Sequence, residues 1–296
     1  MTAQRGFRFG VNMLVPKSRS EWIEKCRRAE ELGFDVIGVA DHLGMPAPFP
    51  AMILAAEATE RVRLNTFVLN TPFYNPTLLA REVATADQFT DGRVELGLGA
   101  GYAKAEFDAA GIPFESGGQR VAQVGRTITT LRKLFADPDY LPRPVQRPGP
   151  PLLVAGWGDK LLSVAAEHAD IVGFTGAVTT AAGTLQIAGP DRMAERVAFT
   201  RDRLGVRADQ VEFNLLIQWV LPSRDLPALL EEFGSALPPE VGGRPEKLPI
   251  ALIGSPEEIA ERVGELRASY GFSYITVLEP SMEAFAPAMA IVRSAG

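Results

Sequence analysis

A (β/α)8 barrel is the fold class this sequence predicts, and three observations predict it. A helix-ending glycine followed by a β-rich run recurs as LGFDVIGVAD (32–41) and YGFSYITVLE (270–279), and HADIVGFTG (168–176) repeats the helix-to-strand part. These runs are apolar on both faces, as parallel strands covered by helices must be. Eight such runs alternate with helical patterns over 296 residues, which suits eight βα units in a single domain, 1–296.

The first strand is read at 7–14, and the helix at 20–32 follows a capping-box pattern from Ser18 to Glu21. The second strand, 36–40, comes after Gly33, which suits the left-handed stop of a helix. The third, 64–69, leads into a helix at 76–90 that opens on Pro76. Strand 94–98 precedes a helix at 119–135, strand 152–155 one at 159–168, and strand 171–174 one at 190–204, with apolar spacing near 3.6. Strand 212–220 leads to an amphipathic segment at 226–235. The helix at 256–269 begins with Ser255, Pro256 and Glu258 in cap register, then strand 273–278 and helix 282–294 complete the pattern. A doubly wound sheet is disfavoured. GLGAGY (97–102) has Tyr102 where a dinucleotide fingerprint needs its third glycine, and no helical pattern opens directly after it. Segments 99–118, 136–150 and 236–249 exceed ordinary loop length, and 175–189 follows the sixth strand. The Pro-rich 136–150 reads as a structural connector at the far end of the barrel; the others are insertions near the C-terminal rim.

Composition excludes some partners. A formal charge of −6 gives no basic footprint for nucleic acid or an anionic membrane. No apolar run is long enough to cross a bilayer and the N-terminus has no signal core, so a cytoplasmic protein is expected. The one cysteine, Cys26, shares the apolar register of Trp22, Ala29 and Leu32 and reads as core.

In a barrel the residues at the C-terminal strand ends face the site. Here they are Asn12 and Met13, Asp41 and His42, Leu69 to Thr71, Gly99 and Gly101, Gly156 to Gly158, Thr175 and Gly176, then Gln218 and Glu279. Two glycine-bearing turns, LVAGWGDK (153–160) and GFTGA (173–177), suit a phosphate held by backbone N–H groups, although ordinary βα turns also use glycine. The chain has two histidines. With only His42 on the rim and no His-x-His after the first strand, no metal site is expected. His168, in the last turn of a helix, reads as structural. His42 reads either as a solvated cap or as a proton or hydrogen-bond donor to a bound group. Arg8 and Glu95 read as a buried ion pair low in the barrel.

Together GVADHL (38–43), NTPFYNP (70–76), RVELGLGAGYAKAEFDAAGIPF (93–114), PPLLVAGWGDKLLSVAAEHADIVGF (150–174) and IGSPEEIAERV (253–263) resemble the bacterial-luciferase-like superfamily, in its branch of coenzyme F420-dependent oxidoreductases. The branch rests on Asp41-His42-Leu43, where flavin monooxygenases of this fold often carry Glu-His-His. The resemblance implies a deazaflavin in the barrel mouth, flanked by Asp41 and His42. Leu69 and Asn70 would support its other face through a non-proline cis peptide. Gly99 and Gly101 would allow close approach, and Gly156, Trp157, Gly158, Thr175 and Gly176 would hold the ribityl chain and phosphate. It also implies a homodimer. Ala100 departs from the pattern, standing where the family's sugar-phosphate dehydrogenases place a glutamate, and Glu106 is not an obvious replacement.

The expected activity is hydride transfer between F420 and a small organic substrate, as a reductase. The runner-up is a monooxygenase using reduced FMN, and the third reading is a barrel that binds a cofactor without turnover. The carboxylate-rich tail of F420 favours basic rim residues, for which Lys17, Arg19, Lys104 and Lys160 are candidates.

Overall fold

The apolar runs become parallel strands and the periodic segments become their cover helices. A computed structural model describes residues 5–179 and 185–295. In chain order the elements are β1 (Arg8–Met13), α1 (Arg19–Glu31), β2 (Val36–Val39), α2 (Pro48–Ala58), β3 (Arg63–Thr66), β4 (Leu69–Asn70) and α3 (Pro76–Phe89). Next come β5 (Val94–Gly99), α4 (Lys104–Ala110), α5 (Gly117–Ala136), β6 (Leu152–Ala155), α6 (Asp159–His168), β7 (Ile171–Phe174), β8 (Ala177–Thr179) and β9 (Leu185–Ile187). The chain continues through α7 (Pro190–Leu204), β10 (Glu212–Ile217), β11 (Trp219–Leu221), α8 (Leu226–Phe233), β12 (Ala251–Ile253), α9 (Pro256–Tyr270), β13 (Phe272–Leu278) and α10 (Met282–Ser294). The strand order β3-β2-β1-β13-β10-β7-β6-β5, with a further β3–β5 pairing, is that of a closed parallel (β/α)8 barrel, as the sequence predicts. Two compact units divide the described chain, one of residues 12–172 and the other of residues 5–11 with 173–295.

Within residues 12–172 the caps fix where helices begin. Ser18 accepts the Glu21 N–H at the start of α1, which buries Trp22, Cys26 and Ala29. Cys26 is buried and forms no disulfide among the described residues, as core packing requires. Asn75 accepts from the Thr77 and Leu78 N–H groups at the start of α3. Helix α5 begins at Gly117 rather than 119, because Ser116 and Gln119 close a capping box. Helix α2 is absent from the sequence reading. PFPAMILAAEA is apolar almost throughout, so no periodicity marks a face.

The strand expected at 64–69 is broken. Thr66 ends β3, a cis peptide joins Phe67 to Val68, and β4 then pairs Leu69 with Leu98 and Asn70 with Gly99. The non-proline cis peptide expected at Leu69-Asn70 therefore lies upstream, because regular pairing with β5 holds those two residues in strand geometry. The connector 136–150 is structural, as read. Gln146 donates from its side chain to Asp87 (2.7 Å) and to the Val94 carbonyl (2.8 Å), and accepts from Arg63 (2.8 Å). Arg63 and Val94 begin their strands, so the connector is fastened at the end away from the rim. His168 lies in the last turn of α6 with Arg132 beside its ring, at 3.3 Å, and bonded to its carbonyl, which keeps it structural.

In the other unit β10 and β13 run parallel, from Phe213 opposite Phe272 to Ile217 opposite Val277. The strand expected at 212–220 stops at Ile217, and β11 turns to pair with β12. The segment 175–189 carries an antiparallel hairpin, β8 on β9, and its residues 180–184 lie outside the described residues. Ser255 and Glu258 form the expected capping box on α9, and Gly271 ends that helix at φ 84°. Arg8 pairs with Glu212 at 2.7 Å. Glu95, in the first unit, pairs with Arg63 at 2.6 Å. Both ends of the anticipated Arg8–Glu95 pair thus have a charge partner in their own unit.

Candidate active site

Strand β2 is buried at every position, so Asp41 and His42 are the first ionisable side chains past its C-terminal end. Asp41 does not stand free. Its Oδ2 accepts the Asn70 N–H at 2.8 Å, and the Tyr74 hydroxyl bonds its carboxylate. Burial nevertheless raises its pKa, outweighing both hydrogen bonds and the attraction of His42, while Glu106 raises it further. Burial, with Asp41 beside it, also drives the Tyr74 hydroxyl far above its ordinary value, so Tyr74 stays a donor. A carboxyl whose pKa rises on folding favours the folded state at low pH and loses that contribution as pH climbs through the raised value. Asp41→Asn should therefore raise the melting temperature near neutrality, with the gain vanishing below the ordinary carboxylate range. Thermal melts of both proteins from pH 3 to 8 check this, and a gain that is flat with pH contradicts it.

His42 has a partner the sequence reading passed over. Its Nδ1 lies 2.7 Å from Glu106 Oε1, so the doubted glutamate reaches the histidine directly. Helix α4 makes this possible. Phe107, the residue after Glu106, is wholly buried and packs edge-on against Phe73 and Phe114, both at 4.9 Å. Arg120 lies over Phe114 at 3.9 Å and donates to the Ala100 and Gly101 carbonyls at 3.2 and 3.3 Å. This clamp carries the first turn of α4 back toward β2. The sequence signal was a short apolar anchor, Phe107, preceded by an acid in a helix's first turn. Tyr102 adds a second contact, edge-on to the His42 ring at 5.7 Å.

The glycines of β5 are places of close approach. A Cβ on Gly101 would lie 2.2 Å from Asn70 Oδ1, and its φ of 70° is left-handed. One on Gly99 would meet Val68 at 2.6 Å. Leu69 is wholly enclosed, so the polar contact from this turn falls to Asn70.

Four polar atoms near these strand ends are buried without a hydrogen-bond partner among the described residues: Asn12 Oδ1, Asn70 Oδ1, Thr71 Oγ1 and Glu106 Oε2. Native interiors leave few such groups. Asn12 Oδ1, Asn70 Oδ1 and the Thr71 hydroxyl can all accept, which fits a bound heterocycle whose ring nitrogens and hydroxyls donate.

The two expected phosphate turns differ. At Gly156 a Cβ would collide with Leu161 at 2.3 Å, so packing by itself accounts for that glycine. Gly158 faces open space and caps α6, which leaves it free to present N–H groups to an anion. Trp157 between them is half-buried. In the other unit, a Cβ on Gly176 would meet Ile250 at 2.2 Å, and Thr175 and Glu279 are half-buried. Gln218 donates its backbone N–H to the Ile250 carbonyl at 2.9 Å. Of the candidate rim cations, Lys104 is committed to Asp108 at 2.6 Å, whereas Lys160 lies beside Gly118 at the start of α5. Among the described residues no cluster of His, Cys, Asp and Glu is placed to hold a metal, and no helix is long and apolar enough to cross a membrane.

Known proteins resemble this chain in sequence and in fold. The family model described as luciferase-like monooxygenase matches residues 7–208. An F420-dependent glucose-6-phosphate dehydrogenase of Intrasporangium calvum is 37% identical over 128 residues, 40% of this chain and 38% of that protein. The oxygenase component of a flavin-dependent trigonelline monooxygenase of Acinetobacter baylyi is 32% identical over 152 residues, 46% of this chain and 42% of that one. The matched region thus spans about two fifths of these relatives' own length. Among solved structures, an F420-dependent secondary alcohol dehydrogenase in complex with an F420–acetone adduct superposes with a TM-score of 0.75 at 18% identity, covering 98% of this chain and 100% of that one.

Proposed function

This chain belongs to the luciferase-like monooxygenase family, and from that premise we propose that it is an F420-dependent oxidoreductase acting on a small organic substrate, in the direction of reduction. The observation that carries the proposal is the acid–histidine pair closing β2, Asp41 held by Asn70 and Tyr74 and His42 held by Glu106. Relatives named as F420-dependent dehydrogenases support the cofactor class.

The deazaflavin, when bound, supplies a hydride at C5. Everything else falls to the protein. Asn12, Asn70 and Thr71 would satisfy their buried atoms against the ring, with Asp41 orienting it. Gly99 and Gly101 would keep the approach clear, and Trp157 and Gly158, at the start of α6, would hold the ribityl chain and phosphate. His42 would give the proton: as a carbonyl carbon gains hydride, Nε2–H protonates the oxygen, and solvent restores the proton to His42. The proposal includes one barrel domain and a cytoplasmic homodimer that uses neither metal, nucleic acid nor membrane.

Titration decides the cofactor. Quenching of cofactor fluorescence should show micromolar or tighter F420 binding and much weaker FMN binding, and turnover should persist without oxygen. FMN affinity equal to or above that for F420 would move the assignment to the reduced-FMN monooxygenase, a reading favoured by the trigonelline monooxygenase likeness.

A further inference from the structure

Glu106 comes from helix α4, outside every strand end, yet it makes the one hydrogen bond described for the His42 ring. We infer that Glu106 is a positioning residue, which fixes His42 in the Nδ1–H tautomer and so reserves Nε2 for proton exchange with the substrate. The catalytic part of this inference rests on the oxidoreductase reading; the tautomer part does not.

The chemistry follows from which atom is occupied. A neutral imidazole carries one N–H, and its placement is set by the hydrogen bond that the other nitrogen's partner imposes. Free imidazole side chains favour Nε2–H. A carboxylate oxygen 2.7 Å from Nδ1 accepts a proton bond there and inverts that preference. Nε2 is then a bare lone pair when His42 is neutral and a donor when it is protonated, the two states a proton exchanger alternates between. Among the described residues nothing bonds Nε2, and the side chain is 33% exposed, so this nitrogen remains open to a ligand.

The partner is itself held fast. The Glu106 side chain is 18% exposed, against 59% for Asp108 on the same helix, whose carboxylate binds Lys104. Phe107 anchors the turn from behind, and Arg120 fastens the loop that feeds it by bonding the Ala100 and Gly101 carbonyls. Tyr102 adds a ring contact at 5.7 Å, so the His42 imidazole is held by Glu106 at Nδ1 and packed against a second aromatic ring. A purely structural ion pair between two loops would not need this orientation. The acid missing at Ala100 is thereby replaced by one that acts through the histidine and does not touch the substrate.

The chain has two histidines, which makes the test direct. Long-range ¹H–¹⁵N spectra of the cofactor-free protein, with His168→Gln to assign the signals, report each ring's tautomer at a pH where both are neutral. His42 should show a protonated Nδ1 and a bare Nε2, and Glu106→Ala should return it to the ordinary Nε2–H form. An Nε2–H signature in the unmodified protein, or an Nδ1–H signature that survives Glu106→Ala, overturns the inference. If Glu106→Ala does not fold, Glu106→Leu serves, which fills similar space without an acceptor, with return of the Nε2–H form as the expected result and persistence of a single Nδ1–H state as the overturning one. In the loaded enzyme Glu106→Ala should lower kcat at least about tenfold with little change in cofactor KM, as loss of acid–base assistance predicts. A lost tautomer with unchanged kcat removes the catalytic role. A locked tautomer in a protein that binds no F420 removes the proposed function and leaves the positioning intact.

Discussion

His42→Ala is expected to slow single-turnover hydride transfer by about 10²–10⁴-fold, the usual worth of a positioned general acid, while cofactor affinity changes little. The reason is the division of labour at the end of β2. Asp41 is tied to the Asn70 backbone and to Tyr74, which makes it a fixed wall of the site. His42 is gripped at one nitrogen only. Asp41→Ala should show the converse pattern, weaker cofactor binding in a folded protein. The competing account makes His42 a structural cap, since its carbonyl accepts the Met45 N–H at 3.0 Å and steadies the turn after β2. A backbone acceptor survives the alanine substitution, so that account predicts an unchanged rate and at most a lowered melting temperature. Stopped-flow rates and melting curves on one preparation separate the two, and an unchanged rate retires the catalytic role.

Gly97→Ala should be the most destabilising small substitution near the site, at least ~3 kcal/mol, as expected when a buried contact cannot relax. A Cβ there would stand 1.9 Å from the Thr66 carbonyl oxygen, on the neighbouring strand's backbone. The same pair of residues is cross-linked twice by Thr66 Oγ1, which donates to the Gly97 carbonyl at 2.9 Å and accepts its N–H at 2.8 Å. Relieving the clash means separating β3 from β5 just below the turn that carries Asn70. Gly264→Ala is the matched control. It sits exposed in the middle of α9 with open space around its Cβ, and should stabilise by up to ~1 kcal/mol through helix propensity. Urea denaturation of the two variants beside the parent measures both; equal, small effects would contradict the steric reading.

Most of the barrel was legible because each unit announces itself locally. Ser18, Asn75 and Ser255 mark helix starts through their own side chains, and Gly33 and Gly271 mark stops through backbone conformations no other residue adopts cheaply. Segments without local contrast were lost. The apolar α2 shows no face, and the strand at 64–69 conceals a break that only pairing with β5 reveals.

The site divides in the same way. The sequence by itself determined that an acid and the rim's one histidine end the second strand, because strand periodicity and the abrupt change from apolar to ionisable residues are both local. Tertiary structure decided what those residues touch. Glu106 lies 64 positions from His42, and no periodicity links them. Their meeting depends on Phe107, Phe114 and Arg120 folding α4 back over the rim, a packing event between segments far apart in the chain. Glycines 156 and 176 carry the opposite lesson. Both looked like phosphate turns from their neighbours in sequence, yet Leu161 and Ile250 occupy the space beside them. A glycine's identity records that something comes close, and only the fold determines whether that neighbour is a ligand or another side chain.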